Sequence, residues 1–317
     1  MTTKAINVPL KKKNSWRLDI KRTWMVYLIF LPTFLLFLVL NYIPMFGIVM
    51  AFQNYKVTSG VFGSEWVHFQ NFVTLFTGDE FLNAMKNTLI IGLLKLTIGF
   101  IAPILFAILL SLLRSQRYKR VVQTMSYLPN FVAAVVVCSL LMEFLGKNGP
   151  LTLFLTWFGA ANQNWIANNQ APAFWLIYTF MGIWQGVGWG SIMYVASIAT
   201  VSGDLYEAAA LDGAGRMRRL FSITLPSIMP LIVMMFIMNV GLCFTQGYDS
   251  ILLLYMPSTY NVSDTLYTYT YRLAGFSGGT PDYGLSAASG LFQSVVGSLL
   301  LVGSNKLSAK YAGSSLF

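Results

Sequence analysis

The sequence predicts an all-α integral membrane protein with six transmembrane helices and with both termini in the cytoplasm. Of its 317 residues, 56% are hydrophobic and only 10% are charged, and the mean hydropathy is +0.62. A soluble domain carries about 25% charged residues. Six charge-poor runs are long enough for a hydrocarbon core that takes about 20 residues to cross. They lie at 24–51, 86–113, 129–145, 172–199, 227–247 and 285–304.

Lysine and arginine residues set the predicted orientation, because short loops rich in them stay on the cytoplasmic side. Sixteen such residues fall in the two termini and in the loops that follow the second and fourth runs, against three in the opposite loops. Both termini are therefore expected inside the cell. The formal net charge of +10 is a topology signal, and binding to nucleic acid is not expected. The first run is too long for a signal-peptide core of about 7–15 residues and is interpreted as an uncleaved anchor.

Three segments are expected on the outer side. Aromatic residues recur every three to four positions from Glu65 to Phe76, which predicts a helix lying at the membrane interface. Segment 146–171 is rich in Gly, Asn and Trp and is expected to form a surface helix or a re-entrant loop. Segment 248–284 mixes Tyr, Thr, Ser and Gly, and is expected to be an irregular, solvent-facing loop.

The residues of catalytic chemistry are scarce. His68 is the single histidine and is expected to make a polar contact at the membrane edge, so neither a metal site nor a Ser-His-Asp set is expected. Cys138 and Cys243 fall inside predicted spans and are interpreted as core residues without a disulfide. No phosphate-binding loop of the type GxxxxGK[ST] occurs. The glycines at 186, 188 and 190 indicate close helix packing rather than a nucleotide site.

A short charged stretch interrupts the apolar pattern after the fourth run, at Tyr206–Pro226 (YEAAALDGAGRMRRLFSITLP). Asp204 and Glu207 have the spacing of a capping box, with Asp204 as the helix cap. The alanine run at 208–210 then favours a helix with little side-chain bulk. Gly213 can adopt the left-handed backbone angles that end a helix.

A second short helix is expected at 216–224, with Pro226 in the first turn of the fifth span. The stretch would then form two short helices at an angle, parallel to the inner face of the membrane. An alanine-rich helix with an exposed carboxylate suits a groove in another protein, because small side chains allow close approach. An interfacial loop that only caps two spans fits the same residues equally well.

A fixed spacing within this stretch resembles the EAA signature of the permease subunits of binding-protein-dependent ABC importers. The signature consists of Glu207-Ala208-Ala209, three residues, Gly213, nine residues, Ile223, one residue, and Leu225-Pro226. With ordinary residue frequencies, such a match arises by chance in about one in 10⁸ windows. The resemblance implies the fold of a type I ABC importer permease.

The resemblance also implies that residues 200–226 form a coupling loop, which docks into a cleft of a separate ATP-hydrolysing subunit. The implied docking residues are Glu207, Ala208, Ala209, Asp212 and Gly213. Glu207 would be the charged contact and Gly213 the elbow. This chain would hold no cofactor, because two ATP-binding subunits bind ATP and Mg. The other implied partners are a second permease in a heterodimer, an extracytoplasmic solute-binding protein and the lipid of a bacterial inner membrane.

The stretches Tyr27–Tyr55 and Gly290–Lys310 resemble permeases of the branch that handles complex saccharides and uronate oligomers. The implied substrate is therefore an oligosaccharide, such as one derived from alginate or pectin. The expected organisation is a basic cytoplasmic tail at 1–23, an anchor helix at 24–51, an external loop with an interfacial helix at 52–85, a permease core at 86–304 and a cytoplasmic tail at 305–317.

Polar residues in or beside the spans are candidates for the solute path, because polar groups inside a bilayer are costly. The candidates are Glu143, Trp184, Gln185, Asn239, Gln246, Tyr248 and Asp249. Gln185, Asn239 and Trp184 are the first choices, since amides and aromatic faces hold sugars. Lys95 is a further polar residue within the second span. For each of them an interhelical hydrogen bond is the competing interpretation.

Two other classes of protein fit the sequence less well. A secondary transporter or channel predicts inverted repeats and broken helices at matching places, which the sequence does not display. A membrane enzyme requires a cluster of acids, histidines or serines facing one cavity, and the inventory of such residues is too thin. A transport subunit without catalytic residues of its own is the favoured hypothesis.

Overall fold

The computed structural model describes residues 16–168, 171–244, 249–254 and 256–311, most of which are helical. The α-helices are α1 Trp16–Phe37, α2 Ile43–Met45, α3 Gly60–Gly63, α4 Gln70–Thr77, α5 Asp79–Leu94, α6 Phe100–Leu112, α7 Gln116–Tyr127, α8 Ala134–Leu145, α9 Pro150–Thr156, α10 Ala171–Ala199, α11 Gly203–Leu211, α12 Arg216–Arg219, α13 Leu225–Leu242, α14 Asp249–Leu254, α15 Tyr260–Ser263, α16 Leu266–Leu273 and α17 Tyr283–Tyr311. Three π turns lie at Leu38–Tyr42, Lys95–Gly99 and Leu220–Thr224, and three 3₁₀ turns at Phe46–Phe52, Leu128–Phe131 and Pro257–Thr259. The strands β1 Gln53–Asn54 and β2 Glu65–Trp66 pair antiparallel.

The chain divides into two units, residues 1–49 and residues 50–317. The described part of the first unit is a helical rod formed by α1, a π turn and α2. A kink at Thr23, with φ −112° and ψ 17°, divides α1 at the residue where the predicted basic tail ends. The second unit contains all the other helices and the two strands, and it carries both candidate sites.

Five stretches of the described chain are long and apolar enough to cross a membrane: Thr23–Phe52, Asp79–Leu112, Ala134–Thr156, Arg216–Leu242 and Tyr283–Lys310. The run predicted at 172–199 is also a continuous helix, α10, of 29 residues, which is about 44 Å long. It is not among the five, because Gly, Trp, Tyr and Gln lower its hydropathy. The count of six spans therefore stays a prediction.

Each π turn precedes a proline in the same helical stretch. The pairs are Leu38–Tyr42 with Pro44, Lys95–Gly99 with Pro103, and Leu220–Thr224 with Pro226. A proline has no N–H to donate, and its ring crowds the carbonyl four residues earlier. In each pair that carbonyl lies within the π turn, whose wider loop of backbone relieves the crowding.

The π turn before Pro226 corrects one prediction. A separate short helix at 216–224 was expected to end before the fifth span began. Instead α12, the π turn and α13 form one helical stretch, Arg216–Leu242. The wide turn lets the helix continue past Pro226, so the arginines of α12 extend the same helix that carries the fifth predicted span.

Helix α10 lies at the centre of the second unit, where it packs against α6, α7 and α13. Gly188 makes the closest approach, since a Cβ at this position would collide with the backbone carbonyl of Ser126 in α7. Gly190 lies against Pro103, with 3.2 Å between an added Cβ and the proline ring. Both contacts confirm the prediction of glycine-mediated packing, whereas Gly186 has nothing within 4 Å of an added Cβ.

This difference between two glycines on one helix gives a matched test. We expect Gly188→Ala to destabilise the protein by about 1–3 kcal/mol, because the added methyl forces two backbones apart. Gly186→Ala is the control and should change stability by less than about 1 kcal/mol. The measurement is thermal unfolding of the purified protein in detergent. Equal stabilities of the two variants would contradict the packing of α7 on α10.

The segment at 52–85, which was expected on the outer side, differs from its prediction in the first half. Residues 65 and 66 form β2 rather than the start of a helix, and only α4 is helical within the stretch expected to be an interfacial helix. The backbone of Trp66 pairs with Gln53, so these residues satisfy their hydrogen bonds across the hairpin. His68 follows in a left-handed conformation, with φ 51°, which separates the strand from α4. The apolar spacing does continue through α4, but its first residue, Trp66, belongs to the β-hairpin.

The segment at 248–284, expected on the outer side as an irregular, solvent-facing loop, contradicts that prediction over most of its described length. Residues 249–254 and 257–273 contain α14, a 3₁₀ turn, α15 and α16, and Leu266 and Thr268 are fully buried. Residues 274–282, in contrast, form turns that are mostly exposed, as predicted. The hydroxyl groups that suggested a loop cap helices instead, since the Oγ1 of Thr265 accepts a hydrogen bond from the N–H of Thr268. The Oγ1 of Thr88 in α5 accepts a hydrogen bond from the N–H of Leu266 at 2.8 Å. From Ser263 to Thr268 the polar composition therefore reflects buried hydrogen bonds and not exposure to water.

A buried ion pair lies within this segment, and an exposed ion pair joins it to α5. The Nη2 of Arg272 donates to Asp264 at 2.7 Å, and its Nη1 donates to Glu80 at 3.0 Å. Asp264 is 2% exposed, and it also accepts a hydrogen bond from Thr268 at 2.6 Å. Burial raises the pKa of the Asp264 carboxyl, and the hydrogen bonds from Thr268 and Arg272 offset part of that rise. The guanidinium also lies 4.9 Å from the ring centre of Tyr260.

Candidate functional site

The first candidate site is α11, the short helix of the charged stretch between α10 and α12. Its N-cap is Ser202, whose Oγ accepts the N–H of Asp204 at 3.3 Å. The predicted capping box, with Asp204 as the cap, is therefore wrong by two residues. Glu207 lies too far along the helix to reach the cap amide. Its carboxylate is exposed instead, which leaves it available to a partner.

The C-terminus of α11 confirms the predicted role of Gly213 as the residue that ends the helix. Gly213 has φ 76°, in the left-handed region. Its N–H donates to Ala210 at 3.1 Å, and the N–H of Ala214 donates to Ala209 at 2.9 Å. This is the hydrogen-bond pattern of a Schellman motif. It fixes the angle at which the chain leaves α11 and enters α12.

The structure separates the predicted docking residues of α11 by their exposure. Glu207 and Ala208 are exposed, and so is Leu211, one turn beyond Glu207, of which 90% is accessible. Asp212, the C-cap residue, and Gly213 are exposed too, and of the predicted docking residues Ala209 alone is half-buried. Leu211 was missed from the sequence, although its spacing of four from Glu207 places the two on one face. The exposed face thus combines one acid, one small residue and one large apolar residue.

The opposite face of α11 is fastened to the next helical stretch. The hydroxyl groups of Tyr206 and Thr224 lie 2.9 Å apart and share a hydrogen bond. Thr224 is buried at the end of the π turn that follows α12. This bond joins α11 to the helix that carries the fifth predicted span.

The second candidate site is a cavity of about 550 Å³ between α10, α13 and the π turn at Lys95–Gly99. Its polar lining residues are Lys95, Tyr178, Thr179, Gln185, Trp189, Tyr194, Asn239 and Ser250. The amide of Gln185 donates to the carbonyl of Val132 at 3.0 Å, and the amide of Asn239 donates to that of Met235 at 2.8 Å. Their amide groups line a cavity that also offers hydroxyl groups and an indole ring.

The structure brings together two of the three first choices for a solute path. Gln185 and Asn239 both line the cavity, whereas Trp184 is 54% exposed and lies outside its lining. Glu143 and Asp249 do not line it either, and both are exposed. Gln246 and Tyr248 lie outside the described residues.

Several cavity residues were missed from the sequence. Trp189 lies four residues after Gln185 and therefore shares its face of α10, while Trp184 does not. Tyr178 lies seven residues before Gln185 on that face. Lys95 carries the one charged side chain among the described lining residues, and its Nζ lies 5.2 Å from the ring centre of Tyr178. Helical spacing around Gln185 was the signal that would have found the two aromatic residues.

In the part of the chain that is described, no three His, Cys, Asp or Glu side chains are grouped so as to hold a metal ion. Cys138 is buried and free, with its Sγ 3.6 Å from the carbonyl of Ser250, which confirms it as a core residue. Cys243 is half-buried and packs against Gly92, where a Cβ would collide with the thiol.

Comparison with known sequences finds one family model, described as the binding-protein-dependent transport system inner membrane component, which matches residues 99–310. The polygalacturonan/rhamnogalacturonan transport system permease protein YteP of Bacillus subtilis is 38% identical over 98% of this chain and 96% of its own length. The sn-glycerol-3-phosphate transport system permease protein UgpA of Escherichia coli is 30% identical, with 88% and 90% covered.

Comparison with solved structures finds the same kind of protein. A chain of the bacterial alginate ABC transporter, crystallised in complex with an alginate pentasaccharide-bound periplasmic protein, superposes with a TM-score of 0.85. The two chains are 36% identical, and the match covers 95% of this chain and 99% of that one. The chain belongs to the inner-membrane components of binding-protein-dependent transport systems, the permease subunits of ABC importers.

Proposed function

We propose that this chain forms half of the translocation path of an ATP-driven importer for an acidic oligosaccharide that contains uronate residues. The observation that carries the proposal is α11, a short helix with Glu207, Ala208 and Leu211 exposed on one face. A transporter that is not driven by a separate subunit does not need an exposed helix for docking. A docking surface joined to a transmembrane stretch through Tyr206 and Thr224 suits a subunit driven by a partner.

The proposed partners follow from this role. Two ATP-binding subunits supply the energy, and they hold ATP and Mg, while residues 200–226 receive their movement. A second permease completes the path as a heterodimer, and an extracytoplasmic solute-binding protein delivers the saccharide. In the proposed arrangement 1–23 and 305–317 are cytoplasmic tails, 24–51 is the anchor, 52–85 is external, and 86–304 is the permease core with six spans in all. The location is a bacterial inner membrane.

The lining of the cavity supports a saccharide as the solute. Sugars present many hydroxyl groups, which need hydrogen-bonding partners, and flat apolar faces, which stack on aromatic rings. Gln185 and Asn239 offer amides, and Trp189 offers an indole ring. Polar groups at membrane depth are costly and mark substrate pathways.

The charge of Lys95 supports an acidic solute over a neutral one. An ammonium group beside the path attracts a carboxylate, and the attraction is stronger in a cavity of low dielectric than in water. Three relatives are named for acidic solutes: YteP for polygalacturonan and rhamnogalacturonan, UgpA for sn-glycerol-3-phosphate, and the structural neighbour for alginate. The residue and the relatives point to the same class of compound.

We expect Lys95→Gln to lower uptake of a uronate oligomer about tenfold, which corresponds to the loss of one charge interaction of about 1.4 kcal/mol. Uptake is measured in proteoliposomes that contain the whole transporter and ATP. The matched control is Lys86→Gln, nine residues earlier in α5, where the side chain lies outside the cavity lining. Gln185→Ala and Asn239→Ala should also lower uptake. Unchanged uptake in all three cavity variants would overturn the proposed path.

A further inference from the structure

A second cavity, of about 410 Å³, lies beside α11 at the end of the bundle that carries the charged stretch. Its walls are residues of α6, α7, α10, α11, α12 and the π turn at Leu220–Thr224. Four of the side chains that line it are basic: Arg114, Lys119, Arg216 and Arg219. Positive charge near the inner face is expected of a membrane protein, but its convergence on one cavity is not.

The four basic residues come from two parts of the chain about a hundred positions apart. Among the described residues that line the cavity there is no carboxylate to balance them. Like charges held together repel one another, so the arrangement is stabilised when an anion enters. Tyr206 and Thr224 share one hydrogen bond, so one of their two hydroxyl protons remains to donate to an oxygen of such an anion.

The other walls of the cavity are apolar, formed by Leu112, Val195, Ile198 and Leu220 among others. A soluble phosphate has no group to place against these side chains. A phospholipid has both parts, a phosphate for the basic side and acyl carbons for the apolar side. Basic pockets between transmembrane helices on the cytoplasmic side are a known mode of lipid headgroup binding.

We propose that this cavity binds the headgroup of an anionic phospholipid of the inner leaflet. The inference rests on the cytoplasmic placement of residues 200–226 given under the proposed function. Arg216 and Arg219 belong to the helix that follows Gly213, and Tyr206 belongs to α11 itself. A lipid bound there contacts both sides of the elbow, so it supports the position of α11 and tunes the coupling to the ATP-binding subunits.

The test is lipid retention by the whole transporter, measured without any transport step. The assembly is exchanged into nanodiscs of phosphatidylcholine mixed with phosphatidylglycerol in equal parts, re-extracted, and its bound lipids are counted by native mass spectrometry. Wild type should retain phosphatidylglycerol in preference to phosphatidylcholine. Arg216→Gln with Arg219→Gln should weaken that preference about tenfold or more, since each basic residue contributes about 1 kcal/mol to an anionic lipid.

Two control variants separate the cavity from the surface charge around it. Arg117→Gln with Arg218→Gln removes the same charge from the neighbouring turns, at residues that do not line the cavity, and should retain the lipid. Arg216→Lys with Arg219→Lys keeps the charge and should retain it too. Equal loss in both glutamine double variants would overturn the site.

The same preparation distinguishes lipid from soluble anion. Inorganic phosphate added during re-extraction should leave phosphatidylglycerol bound. Displacement of the lipid by inorganic phosphate would overturn the assignment to a phospholipid. Because retention needs neither solute nor ATP, its loss is distinguishable from a failure of the proposed importer, which is measured by uptake.

Discussion

Glu207→Arg is expected to lower solute-stimulated ATP hydrolysis by the assembled transporter about a hundredfold or more. Glu207 lies on the exposed face of α11, so its replacement leaves the fold of this chain intact. A docking cleft that receives a carboxylate is complementary to it, and an arginine there puts like charges together at a cost of several kcal/mol. A loss of about 2.7 kcal/mol corresponds to a hundredfold weaker association.

The measurement is co-purification of the ATP-binding subunit, followed by its hydrolysis rate with and without solute. Glu207→Gln is the matched control, because it keeps the shape and removes the charge without reversing it, and a milder loss is expected. Gly213→Pro should also uncouple ATP hydrolysis from solute, but through a change of the backbone and not of charge. Proline fixes φ near −65°, so it cannot adopt the 76° of Gly213, and α11 would lose its Schellman ending. Full stimulation of hydrolysis in Glu207→Arg would contradict the assignment of α11.

Arg272→Ala is expected to destabilise the protein by about 3–5 kcal/mol, the range found when one partner of a buried ion pair is removed. Asp264 is 2% exposed, and without Arg272 its carboxylate keeps no counter-charge within residues 248–284. The exposed pair with Glu80 adds little by itself. The destabilisation should shrink as the pH falls through the raised pKa of Asp264, because protonation removes the buried charge.

The control for Arg272 removes both charges at once. Asp264→Asn with Arg272→Ala leaves no buried charge, and it should recover much of the stability that the single variant loses. Thermal unfolding in detergent at neutral and at acidic pH measures both variants. If the single and the double variant unfold at the same temperature, then packing of the arginine stem, and not its charge, accounts for the contribution of Arg272 to stability.

The sequence predicts those features that depend on composition and local chemistry. Charge-poor runs located the long helices, and Gly213 marked the end of α11, because a residue in the left-handed region is most often glycine. The prediction of a loop at 248–284 failed over residues 249–273 because hydroxyl residues such as Ser263, Thr265 and Thr268 are typical of loops. Only the tertiary structure reveals that hydroxyl groups in and around this segment bond to buried partners.

The candidate sites were predictable in part for the same reasons. Gln185 and Asn239 were found because amides are rare in spans, but the two belong to different helices that the sequence does not place side by side. Trp184 was among the first choices and Trp189 was not considered, although helical spacing from Gln185 favours Trp189. The N-cap was assigned to Asp204 because the spacing to Glu207 matched a motif, whereas Ser202 takes that position in the structure.

The most direct measurement is uphill uptake by purified protein in proteoliposomes, with the ATP-binding subunits present or absent. If Glu207 and Leu211 of α11 receive force from a separate ATP-hydrolysing partner, then uptake against a gradient requires both ATP and those subunits. Uptake should therefore disappear when either is left out. Uphill uptake by the permease chains alone would contradict the role proposed for α11.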